Sequence, residues 1–247
     1  MGANQKTARS AGVLYLVIFV SGIFAQFVVR QSLIAPGDGA TTASNILASE
    51  ALFRLGIAGD LLMLISDVAL ALLFYVLFKP VDNALSLMAA LFRLTQAAII
   101  GSSLVNLFYV LNLLGAANAA TVWGAEQLYA QIMLYLDAHA IGYSLAMVFF
   151  GINCLIFGYL VFKSRYVPRI LGFLLMVAGL AYLTDSFAQV LLTDYAAYKA
   201  LFEAVAIPLA VIGEFATCLW LLVKGINVQT QARHVHLTAV QAESMGA

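Results

Sequence analysis

Charged residues are scarce in this chain, and their scarcity decides which class of protein it belongs to. Only 10% of the 247 residues are charged and 64% are hydrophobic, whereas soluble domains typically contain about 25% charged and about 45–50% apolar residues. An ordinary soluble domain is therefore excluded. The formal net charge is zero, so electrostatics give no reason to expect nucleic acid or acidic molecules as partners.

Motifs for metal binding and catalysis are also missing. The two cysteines, Cys154 and Cys218, lie inside apolar runs without a CxxC or Cys/His spacing, so we interpret them as small buried hydrophobic residues. No HExxH pattern, Gly-x-Ser-x-Gly turn or phosphate-binding glycine loop is present. We therefore predict no metal ligands from motifs, and the sequence identifies neither a cofactor nor a catalytic residue.

Long apolar runs dominate what the chain does contain. A helix needs about 20 apolar residues to cross a hydrocarbon core of about 30 Å, and isolated strands cannot cross it with unpaired backbone groups. We therefore predict an all-α polytopic membrane protein, a six-helix transmembrane bundle over residues 1–226, followed by a disordered polar cytoplasmic tail over residues 227–247. The six predicted spans are Ala11–Val29, Leu52–Phe78, Ala84–Leu114, Ile141–Phe162, Ile170–Leu192 and Ala200–Val223.

The first run needs a separate decision, because Lys6 and Arg9 followed by apolar residues also describe a signal peptide. Its apolar length exceeds the usual core of about 7–15 residues, and no Ala-x-Ala cleavage site follows it. We interpret this run as a retained transmembrane helix.

Basic residues predict the orientation of the bundle. Cytoplasmic loops of membrane proteins carry an excess of lysine and arginine. One side of the predicted bundle holds most of them, whereas the opposite loops hold only Arg30, Arg54 and Lys199. We therefore place both termini in the cytoplasm. The basic residues of the predicted cytoplasmic side are Lys6, Arg9, Lys79, Lys163, Arg165, Arg169, Lys224 and Arg233.

Apart from Arg54 and Glu203, which lie within four residues of the outer ends of their spans, five charged residues lie inside the predicted spans, and four of them are acids. Such a residue costs about 2.5–3.5 kcal/mol at the centre of a membrane helix on insertion scales, so we expect these groups to face one another or a wet cavity. If all were ionised, three negative charges would be in excess. Either some acids are neutral or a positive species binds there. The five residues are Asp60, Asp67, Asp185, Glu214 and the single predicted intramembrane cation, Arg93.

The tight turn at residues 79–83 makes the second and third spans antiparallel neighbours. Counting from their cytoplasmic ends places Asp67 about 18 Å deep and Arg93 about 16 Å deep, so we predict that these two side chains pair. The pair either locks the hairpin or belongs to a ligand site. Asp60 lies two turns outward of Asp67 on the same face, and Gln96 lies one turn outward of Arg93, so both extend the polar stripe.

Two further acids complete the predicted polar interior. Glu214 also lies near mid-depth, below Pro208, which removes a helical hydrogen bond and is common where a transmembrane helix bends around a cavity. Asp185 lies about 24 Å from the cytoplasmic end of its span. The interior is therefore expected to begin near the midplane and to open outward.

His139 lies at the predicted mouth of this interior. It shares a helix face with Tyr143, four residues on, whereas Asp137 does not share that face. In a functional interpretation, His139 is a ligand or proton carrier that works with Asp60 or Asp185. In the alternative, it is an interfacial histidine that bonds to a neighbour.

Paired glycines indicate close helix packing. Gly151 and Gly158 are seven residues apart, as are Gly172 and Gly179. Small residues at such spacing let helix backbones approach each other, and we favour this role over ligand binding.

Seven stretches of the chain carry a resemblance to a known family. They are Ala35–Gly39, Asn45–Leu47, Leu52–Gly56, Ser66–Leu70, Phe92–Ala97, Leu136–His139 and Pro168–Gly172. Together they resemble a bacterial membrane family catalogued as domain of unknown function 4386, over residues from about Ala8 to about Gly225. The resemblance implies a multi-span protein of the bacterial cytoplasmic membrane, and it transfers no activity and no catalytic residue.

Three functions remain open. The first is a protein that binds or transports a proton, a cation or a small amine-bearing solute at the acidic cluster. The second is an intramembrane metal-dependent hydrolase that uses His139 and carboxylates, and the third is a structural or accessory subunit. The expected partners are the lipid bilayer and a small-molecule or ion ligand, without nucleic acid, and the sequence gives no oligomeric state. The hypothetical binding residues are Asp60, Asp67, Arg93, Gln96, Asp137, His139, Asp185 and Glu214.

Overall fold

Helices make up nearly all of the chain that the computed structural model describes, which is residues 3–115, 124–227 and 229. These residues contain no β-strand, and the predicted all-α class is confirmed. Nearly all of the predicted tail, residues 227–247, lies outside the described residues. The helices are α1 Ala3–Ile23, a π-helical turn Phe24–Arg30, α2 Gln31–Leu33, α3 Gly39–Ala48, α4 Glu50–Phe78, α5 Asn83–Ser103, α6 Val105–Gly115, α7 Ala125–Ser164, α8 Arg169–Leu191 and α9 Tyr195–Val223.

Several helical segments are long and apolar enough to cross a bilayer, and they match the first five predicted spans. The sixth predicted span lies within α9, in which Val211–Val223 forms a shorter apolar helix. The chain is therefore a helical, multi-pass membrane protein, and its six-span count stays a prediction. The five long segments in the described residues are Asn4–Leu33, Glu50–Phe78, Asn83–Gly115, Ala125–Ser164 and Arg169–Leu191.

Exposed apolar side chains agree with a bilayer environment. Val190 is 78% exposed, Leu191 74%, and Ile65 and Ile141 are each 69% exposed. Soluble monomers rarely expose contiguous apolar patches larger than a few hundred Å². In lipid such side chains lie in a solvent as apolar as themselves, and only polar side chains need partners inside the protein.

The first segment is longer than predicted because its helix does not end at Val29. The π-helical turn Phe24–Arg30 continues directly into α2, which ends at Leu33. The amide of the next residue, Ile34, still donates to the Arg30 carbonyl at 2.9 Å. Arg30 therefore lies within the helical segment and not in the outer loop, where its charge had placed it.

Aromatic rings fill the core of the first of two compact units, which comprises Met1–Leu16, Ser66–Gln96 and Met147–Ala247. Phe74 and Phe157 are stacked with ring centroids 4.1 Å apart. Three further rings pack around this pair in edge-on or tilted contacts, and they belong to Tyr15, Phe78 and Tyr166.

Glycines bring α7 and α8 into backbone contact within this unit. A Cβ atom added at Gly158 would lie 2.7 Å from the Gly172 carbonyl oxygen, and one added at Gly172 would lie 2.6 Å from that of Gly158. A second contact joins Gly151, seven residues before Gly158, to Gly179, seven residues after Gly172: a Cβ at Gly179 would lie 2.7 Å from the carbonyl oxygen of Gly151. The predicted role of these glycines in close packing is confirmed. Cys154 and Cys218, in the same unit, are buried and free, as predicted.

The second unit comprises Val17–Ile65 and Ala97–Ala146 and has its own apolar core. Helix α3 contributes Ile46, which is fully buried in that core. Asp38 caps α3 by accepting a hydrogen bond from the Thr41 amide at 2.9 Å. That backbone bond, together with the Thr41 hydroxyl, holds the pKa of Asp38 below its ordinary value.

Candidate functional site

A buried ion pair joins α4 to α5 in the first unit. Arg93 Nε donates to Asp67 Oδ1 at 2.7 Å, and Nη2 lies 2.5 Å from the same oxygen. Arg93 is 2% exposed and Asp67 is 3% exposed. Asn153 of α7 accepts a longer bond of 3.5 Å from Arg93 Nη1 and donates to the Ala89 carbonyl at 2.7 Å. The pair predicted from the hairpin turn is therefore present, and the side-chain amide of Asn153 contacts the Arg93 member of the pair.

Three aromatic rings surround the Arg93 guanidinium. Its central carbon lies 5.4 Å from the ring centroid of Tyr15, 5.8 Å from that of Phe74 and 5.3 Å from that of Phe150. A cation within about 6 Å of an aromatic face is attracted by the ring quadrupole, more strongly where water is excluded. These rings, which we call the aromatic cage, give the charge a polarisable environment that lipid could not supply.

Glu214 of α9 is bound by two phenols. Tyr15 Oη donates to Oε2 at 3.0 Å, and Tyr182 Oη donates to Oε1 at 2.6 Å. The residue is 5% exposed, and within the described part of the chain no basic side chain forms an ion pair with it. We call these three residues the carboxyl triad.

The carboxyl triad can hold Glu214 in either protonation state. A phenol hydroxyl can donate to a carboxylate, and it can also accept from a protonated carboxylic acid. Gaining a proton would therefore leave the buried oxygens bonded, with one hydroxyl reversed. Tyr15 also belongs to the aromatic cage, so the same side chain contacts both Glu214 and the Arg93 charge.

A small cavity lies beside the ion pair. Its volume of about 10 Å³ is close to what one water molecule requires, so this space suits a water and not a solute. The cavity is lined by Ala71, Phe74, Ser86, Ala89, Ala90, Arg93, Asn153, Phe157 and Leu160.

Gln96, which the sequence placed in the polar stripe, is also buried. It is 4% exposed and its Oε1 atom has no hydrogen-bond partner in the described residues.

A second buried ion pair occurs in the second unit and corrects the sequence interpretation. Arg30 donates to Asp60 through both terminal nitrogens, at 2.5 Å from Nη1 to Oδ2 and 3.2 Å from Nη2 to Oδ1. Its Nε donates to Gln26 at 2.8 Å. Arg93 is therefore not the only cation inside the helical segments. The apolar run had been ended at Val29 because a charge follows it, but a charge that meets a carboxylate inside the protein need not leave the helix.

His139 bonds to a neighbouring helix in the second unit. Its Nδ1 lies 3.1 Å from Ser103 Oγ and 3.3 Å from the Ser103 carbonyl oxygen, and its ring meets that of Tyr143 edge-on, with the centroids 6.4 Å apart. A Cβ at Gly142 would lie 2.6 Å from that of Ser103, so the backbone itself is close there. His139 is 4% exposed, whereas Asp137 is exposed. This geometry favours the interpretation of His139 as a residue bonded to a neighbour.

Asp185 lies in the first unit and is only half-buried. It accepts from Tyr195 Oη at 2.6 Å and from Gln189 Nε2 at 3.0 Å. Across the described residues, no group of three or more histidines, cysteines and acids is arranged to hold a metal ion.

The structure thus sorts the four acids of the predicted spans. Asp67 and Asp60 each have an arginine, and Asp185 is partly open. Glu214 is the buried acid whose side-chain hydrogen-bond partners among the described residues are both phenols. With Arg30 added to the predicted set, it holds four acids and two arginines, so the formal excess is two negative charges and not three.

Sequence reasoning missed the polar residues that carry no formal charge. Tyr15, Tyr182 and Asn153 lie in the middle of apolar runs, where a search for charged residues passes over them. A signal was available for Asn153, because an amide in the middle of a span needs a partner as an acid does. A tyrosine gives no such signal, because its ring suits lipid and only its hydroxyl needs a partner.

Comparisons with known proteins were made over the whole chain. No solved structure matches it. A protein from Archaeoglobus fulgidus, described only as an uncharacterized protein, is 27% identical over 169 residues, which cover 68% of this chain and 83% of that protein. The family profile described as Domain of unknown function (DUF4386) matches residues 10–225, in agreement with the resemblance seen in the sequence. The chain belongs to the DUF4386 family of proteins.

Proposed function

We propose that this protein is a transporter of the cytoplasmic membrane that binds a proton at Glu214 and couples it to the movement of a cation or a small amine-bearing solute. The observation that carries the proposal is the carboxyl triad. A buried acid that forms no ion pair within the described residues and has two reversible hydrogen-bond partners is suited to gain and lose a proton.

The surroundings of Glu214 support proton binding over metal or solute binding at that position. A proton needs no cavity, and the triad is closed by hydrogen bonds of 3.0 and 2.6 Å. Ionisable residues inside membrane spans commonly mark proton or ion pathways.

Tyr15 supplies the coupling in this proposal. When Glu214 is ionised, the Tyr15 hydroxyl donates to it, and the ring lies against the Arg93 guanidinium. When Glu214 is neutral, the attraction between its charge and Arg93 disappears and the hydroxyl bond reverses. A change in protonation is thereby transmitted to the helix pair α4 and α5 that carries the ion pair.

The proposed membrane and orientation rest on the basic residues. Lysine and arginine concentrate at one set of helix ends, which the positive-inside rule assigns to the cytoplasm. Both termini are then cytoplasmic.

The test is proton uptake into liposomes that contain the purified protein and a pH-sensitive dye. We expect an imposed acid gradient to drive uptake in the wild type and Glu214→Gln to abolish it, because an amide cannot be ionised. Asp185→Asn is the matched control, since it neutralises a half-buried acid of the same unit that also accepts from a tyrosine. In the infrared spectrum, the carbonyl stretch that protonated Glu214 contributes should be absent from Glu214→Gln. Uptake by Glu214→Gln at the wild-type rate would refute proton binding at Glu214.

One observation favours a structural role as the second candidate. Both intramembrane arginines lie against a carboxylate within hydrogen-bonding distance, and such pairs can serve only to fix helix register. In that case, Asp67→Asn combined with Arg93→Gln folds and leaves the cellular phenotype intact. No specific observation favours the hydrolase.

A further inference from the structure

An open cavity lies in the first unit, where the chain turns from α7 into α8. Its volume is about 460 Å³, which is within the range of about 300–1,000 Å³ that small-molecule sites occupy. The turn at residues 165–169 forms one wall, and Trp220 and Asn227 at the end of α9 complete the lining. We call this cavity the turn pocket.

The charge of the turn pocket suits an anion. Arg165 and Arg169 both line it, and none of the described residues that line it is acidic. Both arginines are exposed. The Arg169 guanidinium lies 5.0 Å from the ring centroid of Phe162, and this contact orients the planar group while leaving it accessible. A guanidinium presents several N–H donors in one plane, which match the oxygens of a phosphate.

The backbone holds Arg165 in an unusual conformation. Its φ angle is 57°, a left-handed value that residues other than glycine rarely adopt. Two bonds fix the turn: the Tyr166 amide donates to Ser164 Oγ at 3.1 Å, and the Asn227 amide donates to the Tyr166 carbonyl at 2.8 Å. Such strain persists where the surrounding structure enforces it, and it is concentrated at functional sites.

The neighbouring surface indicates that the phosphate belongs to a lipid. Ile170 and Phe173, in the first two turns of α8, are 58% and 52% exposed, and Val223 at the end of α9 is 61% exposed. These apolar side chains are available to acyl chains directly beside the turn pocket. Trp220 lines the pocket, and tryptophan is enriched at membrane interfaces. The basic residues place this end of the helices on the predicted cytoplasmic side, where anionic lipids attract arginine and lysine.

We propose that the turn pocket binds the phosphate group of an anionic phospholipid, with Arg165 and Arg169 as its ligands and Trp220 at the boundary between headgroup and acyl chains. Inorganic phosphate has the same recognised group but no acyl chains. The two sources therefore differ in whether the apolar surface beside the pocket contributes to binding.

The experiment measures binding of phosphatidylglycerol to the full chain in nanodiscs of phosphatidylcholine with the same acyl chains. Lipid retained in native mass spectrometry is the first measurement. The second is Trp220 fluorescence in a Trp123→Phe background, which leaves one tryptophan. We expect the wild type to prefer phosphatidylglycerol and Arg165→Gln with Arg169→Gln to weaken this binding about 30-fold, from the loss of two charges at the membrane surface.

A matched control removes two charges from the same predicted side without touching the turn pocket. Lys6 and Lys79 are both exposed, and Lys6→Gln with Lys79→Gln should keep the site-specific fluorescence change. Arg165→Lys with Arg169→Lys should bind with intermediate affinity, because the charges remain and the planar donors are lost. Circular dichroism and size-exclusion chromatography report whether each variant is folded.

Three results would overturn the proposal. The first is equal binding by the arginine-to-glutamine variant and the wild type. The second is an equal loss in the lysine control, which would mean a general surface charge effect. The third is saturation of the Trp220 signal by inorganic phosphate in detergent together with no preference for phosphatidylglycerol, which would assign the turn pocket to a soluble phosphate.

Discussion

Replacing Arg93 by glutamine removes the cation of the buried pair and leaves Asp67 in place. Asp67 is 3% exposed, so bulk water cannot solvate the carboxylate once the guanidinium is lost. Breaking a buried ion pair by removing one partner typically costs about 3–5 kcal/mol, and the contacts with the aromatic cage are lost as well. We expect Arg93→Gln to lower the free energy of unfolding by about 4 kcal/mol.

The double variant separates the pair from the cost of an isolated charge. Asp67→Asn combined with Arg93→Gln leaves two amides at hydrogen-bonding distance and no charge to desolvate. We expect it to lose less than about 2 kcal/mol, because replacing both members of a buried pair is often nearly neutral. The non-additivity of the two substitutions then measures their coupling.

The assay is reversible unfolding in detergent micelles, followed by circular dichroism. The matched control is the exposed pair of Glu50 and Arg54, whose side chains are 48% and 59% exposed, and for which Arg54→Gln should cost about 0.5 kcal/mol or less. Two results would show that the reasoning is wrong: a cost for Arg93→Gln no greater than that of the control, or a double variant whose cost equals the sum of the two single costs.

Two further predictions concern packing and pH. Gly172→Ala should lower the free energy of unfolding by about 1–3 kcal/mol, because its methyl group would meet a carbonyl oxygen at 2.6 Å. The control Gly101→Ala should be neutral or slightly stabilising, because the nearest neighbour of its methyl group would lie 3.7 Å away. Equal unfolding midpoints for the two variants would contradict this prediction. The Leu85 amide, followed by Lys163, holds the pKa of Asp82 below its ordinary value of 3.8. The stabilisation of the fold by ionised Asp82 is therefore complete above that ordinary pKa, and it is lost as the pH falls through the lower pKa that Asp82 has in the folded state. Asp82→Asn, which retains the helix cap, should therefore differ from the wild type at pH 7 and converge with it in acid; a difference that is constant with pH would contradict this.

Most of the correct predictions came from the positions of charged residues along the spans and from the spacing of glycines. The pairing of Asp67 with Arg93 follows from a short turn and from equal distances to it, because helix geometry fixes depth by counting. Close packing at the glycines of α7 and α8 follows from their seven-residue spacing, since small residues let two helix backbones approach each other. Both inferences need only local geometry and one neighbouring helix.

The carboxyl triad could not be predicted, because it depends on which faces of three separate helices meet. Tyr15, Tyr182 and Glu214 come from α1, α8 and α9, and no short turn fixes the rotation of these helices about their axes. Arg30 was misplaced for a different reason. A single charge after an apolar run is compatible with a helix end and with a buried pair, and only knowledge of Asp60 beside it decides between them.

The linked positions of Asp67 and Arg93 also bear on how the chain enters the bilayer. Asp67 is synthesised 26 residues before its partner, so α4 emerges from the ribosome as a helix with an unneutralised acid. Insertion of α4 alone would expose that acid to acyl chains, and insertion of α5 alone would expose a guanidinium. A hairpin that leaves the translocon as one body neutralises both at once. We therefore expect α4 and α5 to enter the bilayer together as a hairpin, and the short connection between them shortens the time for which Asp67 lacks its partner.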